Sequence, residues 1–418
     1  MPAVTDTDAE NVLLRLFLTP EGRRDPYPEY RRLRESAPVL RSSLGVLVLS
    51  RYDDCLTALR DPRLGRGTAL RANGDIPQVG LLGMGLDPER RREFFQRSVD
   101  NMLFADPPDH TRLRRLASRA FTPQRVEALR PAVQRIVDGL LDALAEAGEV
   151  DVMTALAFPL PVTVIGELVG VPAADRAHFQ PLVRAGVAAL EPTADEAALR
   201  AAVAGQEELR AYFAELLAER RRRPADDLLT ALAAAREAGD ALSDDEVIGT
   251  AILLFAAGFE TTTNLIGNGL WALLSHPDQA AAWRADPSLG RTGVEELLRW
   301  DSPVQVNMRT ALQPAEVAGE PLAVGDVVLV LQAAANRDPG HFRHAETLDV
   351  ARVGTVALSF GSGIHHCLGA PLARMEGDVV FGSLLRRFST LEPLVDEPEW
   401  RPGLTFRGLT SLPVRVAA

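Results

Sequence analysis

Hydrophobic positions recur along this 418-residue chain mostly at spacings of three and four residues, which is the period of amphipathic helices. The strongest helical patterns cover residues 131–147, 194–221, 226–238 and 243–275. Extended stretches rich in β-branched residues are few and short, and they cover residues 46–50, 304–312 and 326–331. The pattern therefore predicts a mainly α-helical protein with one small β region.

No Gly/Ser-rich linker, repeat or low-complexity tract divides the chain, so we expect a single domain over residues 1–418. Within it, we expect a flexible N-terminal segment over about residues 1–20. Residues 70–87 are rich in glycine and have no clear period, which predicts a long loop. The apolar stretch at 12–18 is interrupted by Arg15 and is far shorter than the roughly 20 residues of a spanning helix. We therefore expect a cytoplasmic protein without a membrane partner.

The charge of the chain also limits its partners. All 45 basic residues are arginines, and they are outnumbered by 57 acidic residues, for a formal net charge of −12. This excess of negative charge argues against nucleic acid or an anionic membrane as the main partner. The two cysteines, Cys55 and Cys367, are far apart and do not indicate a disulfide framework. Cys55 lies on a helical pattern, and we expect it to pack in the core.

The segment FGSGIHHCLG at residues 360–369 places Cys367 just before a predicted helix that begins at Ala370. The unpaired N–H groups and partial positive charge at a helix start should favour the thiolate, the form of cysteine that binds metals. Gly361, Gly363 and Gly369 leave room for a flat, bulky group against the backbone. These features fit a thiolate axial ligand to a haem iron. A zinc site would need further ligands at a spacing that this segment lacks.

A lone cysteine is more often a structural residue of the core, but the glycine spacing and the preceding histidine argue against that interpretation here. The segment resembles the haem-binding signature of the cytochrome P450 family, whose named positions are all filled, by Phe360, Gly361, Gly363, His365, Cys367 and Gly369. The resemblance extends from about Tyr27 to Arg415. It implies the cytochrome P450 fold, with haem b (iron protoporphyrin IX) between a long central helix and the cysteine-bearing helix. It also implies Cys367 as the metal ligand.

Residues 243–275 predict that long central helix, which begins with Ser243 and Glu246 as a capping box. Gly258 in its middle lowers helix stability by about 1 kcal/mol relative to alanine, and the threonines that follow lower it further through restricted rotamers. We therefore expect a functional reason for these residues at the middle of a helix. Ala257 and Thr261 are four residues apart and share a face, which leaves room for a diatomic ligand beside a hydroxyl. Activation of dioxygen requires proton delivery, for which a carboxyl and a hydroxyl are suited.

The block AAGFETTT at residues 256–263 resembles the oxygen-activation motif of the same family. The resemblance implies Glu260 and Thr261 as a catalytic acid–alcohol pair, with Ala257 and Gly258 beside the haem. The alternative for Thr261 is a hydroxyl that bonds back to a carbonyl oxygen one turn earlier and bends the helix.

The resemblance further implies residues that bind the haem carboxylates and residues that support the fold. The expected carboxylate contacts are His110, Arg114, Arg309 and His365, with Phe360, Gly361 and Gly369 as further haem neighbours. Glu296 and Arg299, three apart on a helix, and the downstream Arg352 correspond to the structural network of the family. The alternative for the Glu296–Arg299 pair is an exposed salt bridge worth less than about 1 kcal/mol.

The implied activity is a monooxygenase that inserts one atom of dioxygen into a small hydrophobic substrate, such as a natural-product intermediate. We expect substrate contacts from Leu81, Leu82, Met102, Leu103, Leu254, Val306, Asn307 and Phe406. Because no electron-transfer segment is fused to the chain, electrons are expected from a separate ferredoxin or flavodoxin with an NAD(P)H-dependent reductase. A haem sensor without turnover, or a haem enzyme that uses peroxide or catalyses a rearrangement or coupling, is the alternative; the Glu260–Thr261 pair disfavours both.

Overall fold

The computed structural model describes residues 6–67, 101–191, 194–237 and 239–417, and it is mainly α-helical with a small β region, as predicted. The α-helices, numbered in chain order, are α1 (Asp6–Leu18), α2 (Pro20–Arg24), α3 (Tyr27–Ser36), α4 (Tyr52–Arg60), α5 (Asp109–Ala120), α6 (Pro123–Ala128), α7 (Arg130–Ala147), α8 (Pro159–Val169), α9 (Ala173–Ala188), α10 (Glu196–Arg222), α11 (Leu228–Ala234), α12 (Asp244–Ser275), α13 (Pro277–Ala285), α14 (Gly290–Trp300), α15 (Gln332–Ala335) and α16 (Ala370–Arg387). Short 3-10 or π turns occur at Met153–Ala157, Pro287–Leu289, Leu358–Phe360 and Gly363–His365.

The strands are β1 (Val39–Arg41), β2 (Leu47–Leu49), β3 (Leu64–Gly65), β4 (Glu149–Asp151), β5 (Arg236–Glu237), β6 (Asp240–Ala241), β7 (Asn307–Ala311), β8 (Ala315–Val317), β9 (Glu320–Leu322), β10 (Val327–Val330), β11 (Thr390–Pro393), β12 (Glu399–Trp400), β13 (Leu409–Ser411) and β14 (Pro413–Ala417). The largest sheet has the order β1-β2-β10-β7-β3, in which β2 and β10 are parallel and the other neighbours antiparallel. The three strands predicted from the sequence, β2, β7 and β10, are its three central strands. A second sheet, β11-β14-β4, was not predicted.

The predicted long central helix, α12, is continuous over 32 residues and passes through Gly258 without a break. Its capping box is present: the Ser243 N–H donates to Glu246 Oε2 at 2.8 Å, and the Glu246 N–H donates to the Ser243 hydroxyl at 3.3 Å. Phe255 and Phe259 are buried on the side of α12 that packs in the main core. Because α12 also packs against α8, α10 and α16, its position is fixed on several sides by other helices.

Two segments of the fold differ in form from what the sequence pattern predicts. The helical pattern at 226–238 ends early, because α11 stops at Ala234 and a hairpin of β5 and β6 follows, with Gly239 in its turn at a φ of +85°. The other segment lies within about residues 1–20, where we expect flexibility and where residues 6–18 are helical in the structure. There α1 forms and buries Leu13, Leu16 and Phe17 in a cluster with α3 and the largest sheet. Burial of this apolar face explains why α1 is ordered.

Within the part of the chain that the structure describes, no single helix is both long and apolar enough to cross a membrane. One pair of helical segments, Met153–Val169 and Ala173–Ala188, reaches that length and composition only when joined across a bend of 113°.

Candidate active site

A central cavity of about 560 Å³ is lined by the middle of α12 and by the cysteine loop, residues 358–369, which precedes α16. Thr261 and Cys367 both line this cavity, so the fold brings the two sequence motifs together. Of the predicted substrate contacts, the cavity is also lined by Met102, Leu103, Leu254, Val306, Asn307 and Phe406. Leu81 and Leu82 lie outside the described residues, as does the predicted loop at 70–87.

The cysteine loop is shaped by two 3-10 turns and by backbone hydrogen bonds. The Cys367 N–H donates to the Phe360 carbonyl oxygen at 2.9 Å, which closes the loop beneath the sulfur. Gly361 has a φ of +66°, and a Cβ added there would come no closer than 3.9 Å to other atoms, so this glycine serves the turn and leaves space. Gly363 has a different role from the one expected: a Cβ there would overlap the carbonyl oxygen of Leu59, so it permits packing on α4.

The electrostatic surroundings of Cys367 act in opposite directions on its pKa. Burial of the sulfur within protein raises the pKa above its usual value, although part of the residue's surface is open to the cavity. The Gly369 and Ala370 N–H groups and the guanidiniums of Arg114 and Arg374 lower it, but by less. The expectation that the helix start acidifies this thiol is therefore wrong for the chain alone. A bound metal cation would reverse the balance, because a coordinating thiol is deprotonated.

The middle of α12 presents a hydroxyl to the cavity. Thr261 Oγ1 donates to the Ala257 carbonyl oxygen at 2.8 Å, which is the back-bonded geometry considered as the alternative. This bond uses the hydroxyl hydrogen and leaves the oxygen free to accept one. Gly258 also lines the cavity, and a Cβ there would lie 3.0 Å from the Ile165 side chain. Gly258 thus also allows the close approach of α8 to α12.

Glu260 is buried beside Thr261 and also lines the cavity. One of its carboxylate oxygens forms an ion pair with Arg401, which follows β12. The other, Oε2, has no hydrogen-bond partner among the described residues. Burial and the nearby Arg184 lower the pKa of Arg401 to about 10. Arg401 was not predicted from the sequence, because no local pattern connects it with a helix so distant in the chain.

A second buried carboxyl group, Glu376 of α16, lines the same cavity and was also missed. Burial raises its pKa from 4.5 to about 8, so the group is mostly protonated at neutral pH. Its Oε2 atom has no hydrogen-bond partner among the described residues. Within α16 it stands where the helical period places buried residues, a position at which an acid is unusual.

The residues expected to hold the haem carboxylates form a basic cluster at one edge of the cavity. The rings of His110 and His365 are 4.2 Å apart, and Arg114 Nη2 donates to the His366 carbonyl oxygen at 2.7 Å. Arg309 is buried and donates to Asn307 Oδ1 at 2.6 Å. Asn307, expected to contact substrate, therefore has its amide oxygen engaged by an arginine.

This basic cluster fits a group with two carboxylates. Burial, with the nearby arginines Arg66 and Arg309, lowers the pKa of His365 to about 2. Both ring nitrogens of His110 and Nε2 of His365 are buried without a hydrogen-bond partner among the described residues. Buried polar atoms in proteins are normally paired, and a neutral imidazole has one N–H to donate, so these rings leave donors that an anion could accept. The two carboxylates of haem would supply such acceptors.

Glu296, Arg299 and Arg352 form a buried network behind the cysteine loop, unlike the exposed salt bridge considered as the alternative. Arg299 Nε and Nη2 donate to the two Glu296 oxygens at 2.7 Å each, and Arg352 Nε donates to Glu296 Oε2 at 3.0 Å. Arg299 also donates to the Asn336 carbonyl oxygen at 3.0 Å, and Asn336 Oδ1 accepts from the Leu358 N–H at 2.7 Å. The network therefore reaches the first turn of the cysteine loop.

A mainly α-helical fold in which a long helix and a cysteine loop line one cavity is the arrangement expected of a haem-thiolate protein. The chain belongs to the cytochrome P450 family: the family model described as "Cytochrome P450" matches residues 178–286 and 291–413. This membership confirms the predicted family, fold and enzyme class, and the chain is a cytochrome P450 monooxygenase. The family implies a haem-thiolate cofactor.

Among characterised proteins, the chain is similar to cytochrome P450 107B1 of Saccharopolyspora erythraea, with 42% identity over 94% of this chain and 96% of the relative. It is 41% identical to cytochrome P450 monooxygenase PikC of Streptomyces venezuelae, over 94% of this chain and 91% of the relative. Among solved structures, the bacillaene polyketide synthase cytochrome P450 PksS of Bacillus subtilis matches with a TM-score of 0.85 and 37% identity, over 95% of this chain and 98% of that one.

Proposed function

We propose that this chain binds haem b through Cys367 and inserts one atom of dioxygen into a hydrophobic natural-product intermediate. The observation that carries the proposal is that Cys367 and Thr261 line one cavity with a buried basic cluster at its edge. Haem with a thiolate ligand supplies the activation of dioxygen. The residues of the chain bind and orient the reactants, exclude water and handle protons.

Cofactor binding is proposed for three groups of residues. His110, Arg114, Arg309 and His365 would bind the two carboxylates, which would pair ring nitrogens of His110 and His365 that are buried without a partner among the described residues. Ala257 and Gly258 would face one side of the ring, and Phe360, Gly361 and Gly369 the other. Ala257, Gly258, Gly361 and Gly369 are small, which suits close approach of a flat group to the backbone.

Proton delivery is assigned to Glu260 and Thr261. Because the Ala257 carbonyl oxygen accepts the Thr261 hydroxyl hydrogen, the hydroxyl oxygen is oriented to accept a hydrogen bond from water or from a ligand. Arg401, whose side chain is 22% exposed, holds the buried Glu260 carboxylate at a position between solvent and the cavity. A carboxyl group with one unpaired oxygen can then pass protons inward through water while the apolar lining excludes bulk solvent.

The substrate is proposed to be hydrophobic, because Met102, Leu103, Leu254, Val306 and Phe406 line the cavity. PksS is described as a polyketide synthase cytochrome P450, which supports a polyketide-like intermediate as the substrate class. For electrons, we propose a separate ferredoxin or flavodoxin with an NAD(P)H-dependent reductase.

The proposal is tested first by replacing the sulfur. Cys367→Ala should abolish the red-shifted Soret band of the reduced carbon monoxide complex, because that band requires a thiolate ligand. Cys55→Ala is the matched control: Cys55 is the other cysteine, it lies on α4 and is buried between that helix and the sheet, and its loss should leave the band in place. A Cys367→Ala variant that keeps the band would refute the proposed ligand.

Substrate class is tested by scoring a library of polyketides, terpenoids, peptides and fatty acids for the haem spin-state change. Compounds that shift the spin state are then incubated with a ferredoxin, its reductase and ¹⁸O₂. Incorporation of one labelled oxygen atom is expected. Spin-state shifts confined to fatty acids or peptides would contradict the polyketide-like class.

A further inference from the structure

Arg66 lies beside the basic cluster, where its charge acts on His365, but it is not among the four residues that the family resemblance implies. It follows β3 and lines the cavity that also contains His365 and Cys367. Its Nε atom is buried and has no hydrogen-bond partner among the described residues. Its hydrogen bonds from Nη1, to Asn307 Oδ1 and the Met308 carbonyl oxygen, are long at 3.3 and 3.4 Å.

Those two acceptors are already used by Arg309. Arg309 Nη1 donates to Asn307 Oδ1 at 2.6 Å and to the Met308 carbonyl oxygen at 2.9 Å. Two guanidiniums thus share one pair of acceptor atoms, and Arg66 makes the weaker contacts. Both contacts of Arg66 use Nη1, so most of its five guanidinium donors have no partner among the described residues.

The charges around the pair are also unbalanced. Burial lowers the pKa of Arg66 to about 10, and burial with the charge of Arg66 lowers the pKa of Arg309 well below its usual value. The negative charge of Asp106 raises the pKa of both arginines. Its oxygens, however, already accept the backbone N–H groups of Arg66 at 2.6 Å and of Gly67 at 2.9 Å. A half-buried cation and a buried cation, with one carboxylate that already accepts two backbone N–H groups, favour a further anion between them.

We propose that Arg66 binds a haem carboxylate together with Arg309, as a cation additional to the four residues expected from the family. The inference rests on the proposed binding of haem b. Arginine presents parallel donors that suit a carboxylate, and the unpaired Nε of Arg66 supplies one of them. The contact adds to the retention of the cofactor and has no part in the oxidation itself.

The test measures haem release from the full-length holoprotein to excess apomyoglobin. Arg66→Met keeps the apolar stem and removes the charge, and it should release haem b about tenfold faster, which corresponds to the loss of about 1.4 kcal/mol. The control is Arg63→Met, three residues earlier, where the arginine is 40% exposed and pairs with Asp61 at 2.6 Å. This control should match wild type, because its charge lies outside the cavity.

The same measurement with haem dimethyl ester identifies the group that Arg66 binds. Without free carboxylates, wild type and Arg66→Met should release the cofactor at equal rates. Arg66→Lys, which keeps the charge, should release haem b more slowly than Arg66→Met and covers the case in which the methionine variant does not fold.

Three results would overturn the inference. One is release of haem b from both Arg66 variants at the wild-type rate. Another is equal acceleration with haem b and with its ester, which would make Arg66 a support of the local fold. The third is unchanged haem release together with weaker substrate binding, which would assign Arg66 to the substrate. Failure of wild type to bind haem b at all would instead refute the proposed function.

Discussion

Single residues in the cavity owe their chemistry to the residues around them. Cys367 and Glu376 show this most directly, because burial raises the pKa of both groups. For the cysteine, desolvation outweighs two N–H groups and two guanidiniums, and for the glutamate it is the one cause that acts. Both side chains are therefore mostly neutral in the chain alone at neutral pH. A metal cation bound to the Cys367 sulfur would deprotonate that thiol.

Thr261 is the residue whose proposed role can be separated from binding. Thr261→Ala should keep the haem spectrum and the substrate-induced spin-state change, because the Thr261 side chain is proposed to bind neither the haem nor the substrate. Product formed per NAD(P)H should fall at least about tenfold as electrons are diverted to hydrogen peroxide, since a group positioned for proton transfer contributes at least that much. The measurement compares product, peroxide and NAD(P)H consumed.

Thr263→Ala serves as the control for Thr261→Ala. Thr263 is on the same helix and is buried, but it does not line the cavity. The control should keep product and peroxide yields close to wild type. An unchanged product yield per electron in Thr261→Ala would remove Thr261 from proton delivery.

At the scale of elements, the site depends on how α14 supports the cysteine loop. The Glu296–Arg299 pair on α14 has both side chains 0% exposed, and Arg299 donates to the carbonyl oxygens of Asn336, Ala345 and Thr347. A buried ion pair is costly to form, and it is tolerated here because each donor and acceptor is used. The segment that leads to Cys367 is thereby fixed to a helix.

Glu296→Gln should lower the free energy of unfolding by about 3–5 kcal/mol, because it leaves the buried Arg299 and the half-buried Arg352 without their carboxylate. The fraction of protein recovered with haem should fall as well. Denaturant unfolding and the haem-to-protein ratio measure the two effects.

Glu127→Gln is the matched control, because Glu127 and Arg130 have the same three-residue spacing but side chains 64% and 41% exposed. It should cost less than about 1 kcal/mol. Equal losses of stability in the two variants would contradict a special role for the buried network.

At the scale of the whole molecule, one carboxylate joins distant segments at the edge of the cavity. Glu191, just beyond α9, accepts the backbone N–H groups of Leu404 and Thr405 at 2.9 Å each and of Phe406 at 3.2 Å. Phe406 lines the cavity, so this contact holds the C-terminal segment against the end of α9.

Glu191→Ala should accelerate dissociation of an apolar ligand about tenfold. The loss of charge-assisted hydrogen bonds should weaken the contact between the C-terminal segment and the end of α9 by about 1.4 kcal/mol. Stopped-flow spectroscopy with an arylimidazole measures the rate. Glu208→Ala removes an exposed carboxylate of α10 that pairs with His178 and should leave the rate unchanged. Dissociation at the wild-type rate in Glu191→Ala would show that this contact does not limit ligand exit.

Much of the fold and the centre of the site could be predicted from short stretches of sequence. The capping box of α12, the spacing of Ala257 and Thr261, and the loop around Cys367 each depend on residues a few positions apart. Neighbours in sequence are neighbours in a helix or turn, so their geometry follows from local rules. The central strands β2, β7 and β10 were found for the same reason, because their composition is distinctive over a few residues.

The partners of the site residues required the folded chain. Arg401 meets Glu260, Arg66 meets Arg309, and Asn336 connects Arg299 with the cysteine loop, all across long separations in sequence. The burial that sets the pKa of Cys367 and Glu376 likewise comes from packing of distant segments. Contacts of this kind leave no periodic pattern in the sequence, because periodicity records which face of an element is buried and not what it is buried against.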